Sequence, residues 1–304
     1  MVIRPVNIKS ETDIQAISKI WRNCFTDDQS YIDSYISNCL PHTSSWVLLC
    51  DNMPVSILSM LPSYALLPLN QSISPGKIPP SDHFITLRGA YIYGVATLPE
   101  YRGSSYSRML LNKAMDYSKA MGFDYTIVKP ADELLFEFYQ RTGFDITLYS
   151  NKNIFHVDSS INTLDLEMSC NHFSLLTPEQ LFILREQYNS TTSFLWPPEI
   201  LRYALIETLS RSGIAATNGQ LYLIAYPTKA GNINLLETNA QNSTQFNLIL
   251  NYLLKLFPDA ATITIDSANI NKIAQHRCAL LKILNPDPNI AEALSSRYLS
   301  LPME

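Results

Sequence analysis

The sequence predicts a mixed α/β fold, an α+β chain with a mixed sheet, arranged as two successive units over residues 1–157 and 158–304. Three observations carry this reading. Strand-like and helix-like periods alternate from the first residues to about residue 157. A strand over Phe84–Thr97 runs through a loop of small residues into an amphipathic helix. From Thr177 the same succession starts again.

Val2–Asn7 reads as a short strand. Over Thr12–Phe25 the residues Ile14, Ile17, Ile20, Trp21 and Phe25 recur at helical spacing, and Tyr31, Ile32, Tyr35, Ile36 and Leu40 do the same over Asp28–Leu40. Asp27 or Asp28 is placed to cap the second helix, and Pro41-His42-Thr43 ends it. Ser45–Cys50 and Val55–Leu67 are strands joined by the turn Asp51-Asn52-Met53-Pro54. The stretch Leu67–Ser81 holds four of the chain's 18 Pro together with Gly76, the signature of an exposed loop. After the strand Phe84–Thr97 and the loop Arg102–Ser107, a helix is expected over Ser105–Met121, with Gly122 as its C-cap. A strand over Asp124–Lys129, a helix over Pro130–Arg141 closed by Gly143, and strands over Phe144–Tyr149 and Ile154–Val157 complete the first unit.

In the second unit, helices are expected over 178–189 and 197–211. Strands follow over Ile214–Ala216, Leu221–Pro227 and Ile233–Thr238. Then come a helix over Ser243–Phe257, a strand over Ala261–Ile265 and a helix over Asn271–Leu281. The order echoes the first unit, which points to a degenerate duplication.

Composition narrows the function. With 46% apolar and 16% charged residues, the chain can bury a sizeable core. Its formal net charge is −5 and it has no Lys/Arg run, which argues against a nucleic-acid partner. No stretch approaches the roughly 18 uninterrupted apolar residues that span a bilayer, and no cleavable leader opens the chain, so no membrane partner is expected. Cys24, Cys39, Cys50, Cys170 and Cys278 are scattered and odd in number, which indicates neither a disulfide framework nor a zinc knuckle. Cys39 with His42 makes at most two ligands, so no metal is expected. Free thiols fit a reducing, cytoplasmic setting.

The chemistry-bearing stretch is Tyr93-Gly94-Val95-Ala96-Thr97-Leu98-Pro99-Glu100-Tyr101-Arg102-Gly103-Ser104-Ser105-Tyr106-Ser107. A strand, a loop of small residues and a helix start together leave backbone N–H groups without internal partners. The helix dipole adds partial positive charge there, and small side chains let a phosphate approach. The plain alternative is an ordinary strand–turn–helix bearing a surface Arg.

This run resembles motif A of the GNAT acetyltransferases, Q/R-x-x-G-x-G/A after a strand, with Arg102 at the first position. Ser105 and Ser107 stand where that family has Gly and Gly or Ala, so a positive φ at the first of these would strain Ser105. Phe138-Tyr139-Gln140-Arg141-Thr142-Gly143-Phe144 resembles the F-Y-x-[RK]-x-G-F run of the same enzymes. The resemblance implies acetyl-CoA as donor. Main-chain groups of Val95, Ala96 and Thr97 would hold the pantetheine arm, and Arg102, Gly103, Ser104, Ser105, Tyr106 and Ser107 the pyrophosphate. Tyr139 would be the general acid, its phenol of pKa about 10 protonating a thiolate of pKa about 8.5; its alternative role is a core aromatic against Phe144. His83 and Glu100 are candidate bases.

The plan as a whole resembles the enhanced-intracellular-survival subset, in which a degenerate GNAT-like domain follows the first. In that subset the terminal carboxylate can enter the active site, which makes Glu304 a further candidate base. Leu235-Leu236-Glu237-Thr238-Asn239 sits where motif A would recur, but no Arg-Gly loop follows, so no second CoA site is expected. Trp196, beside Pro197-Pro198, could line an acceptor pocket or pack as a core aromatic. His156, His172 and His276 lack partner spacing. The acceptor implied is a small-molecule or protein amine. The rival reading is a CoA-binding sensor or interaction module without turnover.

Overall fold

A computed structural model of the chain describes residues 1–68, 84–157, 173–189, 193–228, 230–268, 276–297 and 299. In chain order the elements begin with β1 (Val2–Pro5), α1 (Glu11–Cys24), α2 (Gln29–Asn38), β2 (Ser44–Cys50), β3 (Met53–Pro68) and β4 (Phe84–Thr97). They continue with α3 (Tyr106–Ala120), β5 (Tyr125–Val128), α4 (Glu133–Gln140), β6 (Ile146–His156), β7 (Ser174–Leu175), α5 (Pro178–Asn189) and α6 (Pro198–Ser210). The last are β8 (Ile214–Thr217), β9 (Tyr222–Pro227), β10 (Ile233–Thr238), α7 (Ser243–Leu256), β11 (Thr262–Ala268), β12 (His276–Ile283) and α8 (Pro288–Ser295). The expected loop Leu67–Ser81 lies mostly outside the described residues.

Two compact units result. The first is made of Met1–Leu67, Phe84–Leu148 and Cys278–Ser295, and the second chiefly of Tyr149–Arg277. Sequence reading places one cut after residue 157. In the structure the change of unit falls within β6, and a late segment groups with the first unit.

Helix starts in the first unit follow local chemistry. Ser10, Asp28 and Asp132 accept hydrogen bonds from the backbone N–H groups of Asp13, Tyr31 and Leu135, capping α1, α2 and α4. The strands run β1-β2-β3-β4-β5-β12. Only β4 and β5 are parallel among the pairs whose register is defined there, matched over Gly89–Ile92 and Tyr125–Val128. The core gathers Trp46, Leu48 and Leu58 from the meander, Ile92 and Val128 from the parallel pair, Leu110, Leu111 and Ala114 from α3, and Phe136, Tyr139 and Phe144 around α4.

Beyond Ile92, β4 continues for five residues while β5 has ended. At the parting, Gly94 adopts φ +59°, and the Trp21 ring lies 2.9 Å from where a Cβ would stand. A side chain there would meet both the left-handed penalty and the indole.

The helix expected over Asn271–Leu281 is not formed over its described part, where β12 runs antiparallel to β5 from Leu280↔Val128 to Ile283↔Tyr125. The run Cys278-Ala279-Leu280-Leu281 carries no period that separates strand from helix. The edge of a buried strand, offering ladder hydrogen bonds, decides the matter. The two strands expected over Phe144–Tyr149 and Ile154–Val157 are one, β6, whose later part pairs with β11 from Ser150 to His156.

In the second unit the order is β6-β11-β10-β9-β8-β7, with β10 and β11 parallel and α7 between them in sequence. Two helices, an antiparallel meander and a strand–helix–parallel strand thus recur in the order of the first unit. Its core holds Leu223, Ala225, Leu235, Ile249, Leu253 and Ile263. Beside it, Arg185 donates to Glu237 at 2.9 Å, and the Tyr222 hydroxyl donates to the same carboxylate. Trp196 is 1% exposed, a packed core aromatic.

Candidate functional site

The expected helix start is where the fold leaves donors unclaimed. Ser105, the N-cap of α3, takes φ +61° and ψ +19° and makes no side-chain cap bond. Caps normally sit in the extended region and accept from the first turn, as those of α1, α2, α4 and α7 do. The first-turn N–H groups of α3 therefore point outward, with the helix dipole behind them and no acidic residue in that turn. A non-glycine residue in the left-handed region stores on the order of 1–3 kcal/mol, and such strain gathers at ligand clamps. The strain anticipated at Ser105 is present.

Around this helix start lies an open cleft of about 240 Å³, lined by Thr97, Tyr101, Arg102, Gly103, Ser105, Tyr106, Ser107, Arg108 and Phe138. It brings together six of the expected residues. Val95, Ala96 and Ser104 are not among those lining it. Arg102 is exposed, and its Nε donates to the Thr97 carbonyl at 3.3 Å, which folds the guanidinium back over the loop. The Cys24 thiol donates to the same carbonyl, also at 3.3 Å. Burial pushes that thiol's pKa up, while Arg102 beside it acts the other way. On the β3 side, Ser56 Oγ donates to the Ala96 carbonyl at 2.7 Å, and the N–H of Leu98 donates to Val55. Of the main-chain groups of Val95, Ala96 and Thr97 expected to hold a pantetheine arm, the carbonyls of Ala96 and Thr97 already have protein partners.

Two arginines, uncapped N–H groups and small loop residues fit a diphosphate. Arg108, Tyr101 and Phe138 were missed in the sequence, although Arg108 sits in the first turn of an expected helix and Phe138 precedes Tyr139. Their positions were legible. Which way each side chain turns was not.

Tyr139 stands beside the cleft-lining Phe138 but is itself 6% exposed. Its ring meets Phe144 at 5.7 Å and 77°, and Phe138 at 5.1 Å and 72°. No hydrogen bond of its hydroxyl is found among the described residues, and burial is what drives its pKa well above the ordinary phenol value. Behind it, the turn after α4 is pinned from β12: Lys282 Nζ donates to the Thr142 carbonyl at 2.8 Å and lies 5.8 Å from the Phe144 ring centre. Gly143, at φ +88°, lets that ammonium come within 2.7 Å of where a Cβ would be.

Glu100 is exposed on a 3-10 turn over Pro99–Tyr101. His83 and Glu304 lie outside the described residues, as does His172; His156 and His276 are exposed. Cys39 is buried and His42 exposed, and among the described residues no group of three or more His, Cys, Asp or Glu gathers. Nor is any described helix long and apolar enough to cross a membrane. At the position in the second unit that corresponds to the site, α7 is capped by Asn242, which accepts from the Gln245 N–H at 3.0 Å. Gln245 returns a bond to the Gln241 N–H at 2.8 Å. That helix start is closed by its own side chains.

Residues 14–144 match the model of the acetyltransferase (GNAT) family. Among solved structures, the chain is similar to a GCN5-related N-acetyltransferase from Kribbella flavida (14% identity over 97% of this chain and 74% of that one, TM-score 0.65). It is likewise similar to one from Anabaena variabilis (17%, 97% and 75%, TM-score 0.66) and to Eis1 from Mycobacterium abscessus (13%, 93% and 74%, TM-score 0.61). No curated protein matches the chain in sequence. The chain shares its fold with these GNAT acetyltransferases.

Proposed function

We propose that, on this GNAT fold, the chain is an acyl-CoA-dependent N-acetyltransferase passing an acetyl group from acetyl-CoA to a primary amine, on a small molecule or a protein. The observation that carries the reading is the uncapped start of α3 at Ser105, flanked in one cleft by Arg102 and Arg108. Those groups would hold the donor's pyrophosphate. The pantetheine arm would run along the end of β4 near Val95, where β5 has parted from it.

The reaction needs no covalent enzyme intermediate. The neutral amine attacks the thioester carbonyl, the C–S bond breaks, and the products are an N-acetyl amide and free CoA thiol. The chain supplies position and main-chain donors. Tyr139 gives its proton to the departing sulfur. Its raised pKa keeps that proton on the phenol at neutral pH. The ammonium form of the acceptor must first lose a proton, to Glu100, His83, Glu304 or water.

A CoA-binding sensor without turnover is the second reading. The close packing of Tyr139 between Phe138 and Phe144 favours it. Calorimetric titration with acetyl-CoA and CoA, beside an Arg102→Glu variant, tests what both readings share. Micromolar binding lost in the variant is expected, and no binding by the wild type refutes both. Thiol release from acetyl-CoA with a panel of amines then separates enzyme from sensor.

A further inference from the structure

Three hydroxyls run inward from the cleft. Ser107 Oγ, in the first turn of α3, lies 2.8 Å from Thr97 Oγ1 at the end of β4. Thr97 Oγ1 lies 2.7 Å from Ser56 Oγ on β3, and Ser56 Oγ lies 2.7 Å from the Ala96 carbonyl oxygen. Each hydroxyl owns one proton, whereas a carbonyl can only accept. Ser56 therefore commits its proton to Ala96. Thr97 is left to donate to Ser56, and Ser107 to donate to Thr97. The polarity is set from the inside by a carbonyl oxygen, which accepts and never donates. Ser56 is 0% and Thr97 8% exposed, so water has little part in the chain. Reversing it would leave two oxygens facing each other without a proton, at a cost of about 1–3 kcal/mol for a buried group left unmet.

The consequence appears at the cleft. Ser107 lines it with its proton turned away, and so presents lone pairs. Around it stand donors: Arg102, Arg108 and the N–H groups of the α3 start. A phosphate oxygen accepts only, so it finds nothing in Ser107 to bond.

We propose that Ser107 is a specificity residue that reads a hydroxyl or amide N–H carried beside the ligand's diphosphate. A pantetheine arm has both, whereas a nucleoside diphosphate without that arm has neither at this place. The proposal rests on the acyl-CoA reading of the cleft. Calorimetric titration of the full chain with CoA and with 3′-phospho-ADP, which lacks the arm, tests it. Ser107→Ala should weaken CoA binding by about threefold to tenfold, the worth of one neutral hydrogen bond, and leave 3′-phospho-ADP unchanged. Thr97→Val removes the receiver of the Ser107 proton and frees that hydroxyl to donate. It should tighten 3′-phospho-ADP by about threefold. Equal effects of Ser107→Ala on the two ligands, no effect on CoA, or weakening of both by Thr97→Val would overturn the inference while the acyl-CoA reading stands. If the wild type binds neither ligand, that reading falls and the inference with it.

Discussion

Replacing Tyr139 by Phe removes one oxygen and, from the structure, should separate chemistry from folding. The ring keeps its edge-on contacts with Phe138 and Phe144, at 5.1 and 5.7 Å, so packing is retained. The lost hydroxyl has no hydrogen-bond partner among the described residues. Its removal should therefore move stability by no more than about 1 kcal/mol, in either direction. Loss of a general acid costs typically about 10²–10⁴ in turnover. The pH behaviour follows from the direction of the pKa. Burial raises it, so the phenol is protonated over the whole working range, and the variant should lower the rate evenly across about pH 6–9 rather than reshape the profile. The assay is thiol release from acetyl-CoA with an accepted amine at saturation, with thermal unfolding measured alongside. Turnover within threefold of wild type would sink Tyr139 as the acid. A fall of several degrees in Tm would instead make the hydroxyl structural.

Two further predictions concern stability. Glu237→Ala in the second unit would leave the Arg185 guanidinium, 1% exposed, buried without that counter-charge, at a cost of about 3–5 kcal/mol in denaturant unfolding; a loss under 1 kcal/mol would contradict this. Asp13, held by Arg4 at 2.6 Å and by the Asn7 N–H at 2.8 Å, has its pKa lowered, chiefly by the Arg4 hydrogen bond. Its contribution is full above the unfolded value of about 4 and is lost as pH falls through the folded value. Unfolding midpoints of wild type should therefore approach those of Asp13→Asn only below about pH 4. A constant gap down to pH 2 would show that the ion pair contributes nothing.

The candidate site was legible where its causes are local. Arg102 and Gly103 announce a loop, the hydrophobic period that follows announces α3, and Ser105 in a glycine position announces strain, which its φ of +61° bears out. Arg108 falls in the first turn of a helix already expected there. Ser56 could not have been found, because nothing in Val55-Ser56-Ile57 marks a serine that will meet Ala96 and Thr97 from another strand. Tyr139 was named from its motif, but the motif cannot tell a ring that opens on a cleft from one that closes a core.

The amino-acid order alone determined what depends on near neighbours: the strand, the small-residue loop and the uncapped helix start, since backbone preference and capping act within a few residues. Tertiary structure decided what depends on distant ones. A C-terminal run that reads equally as helix or strand becomes β12 only because the edge of β5 needs a partner, Leu280 against Val128. Lys282 on that strand then pins the turn that seats Phe144 against Tyr139. The direction of the Ser107 proton is likewise set by a carbonyl reached through two other hydroxyls. Such contacts are chosen by packing and hydrogen-bond satisfaction between segments far apart in the chain, and no local period records them.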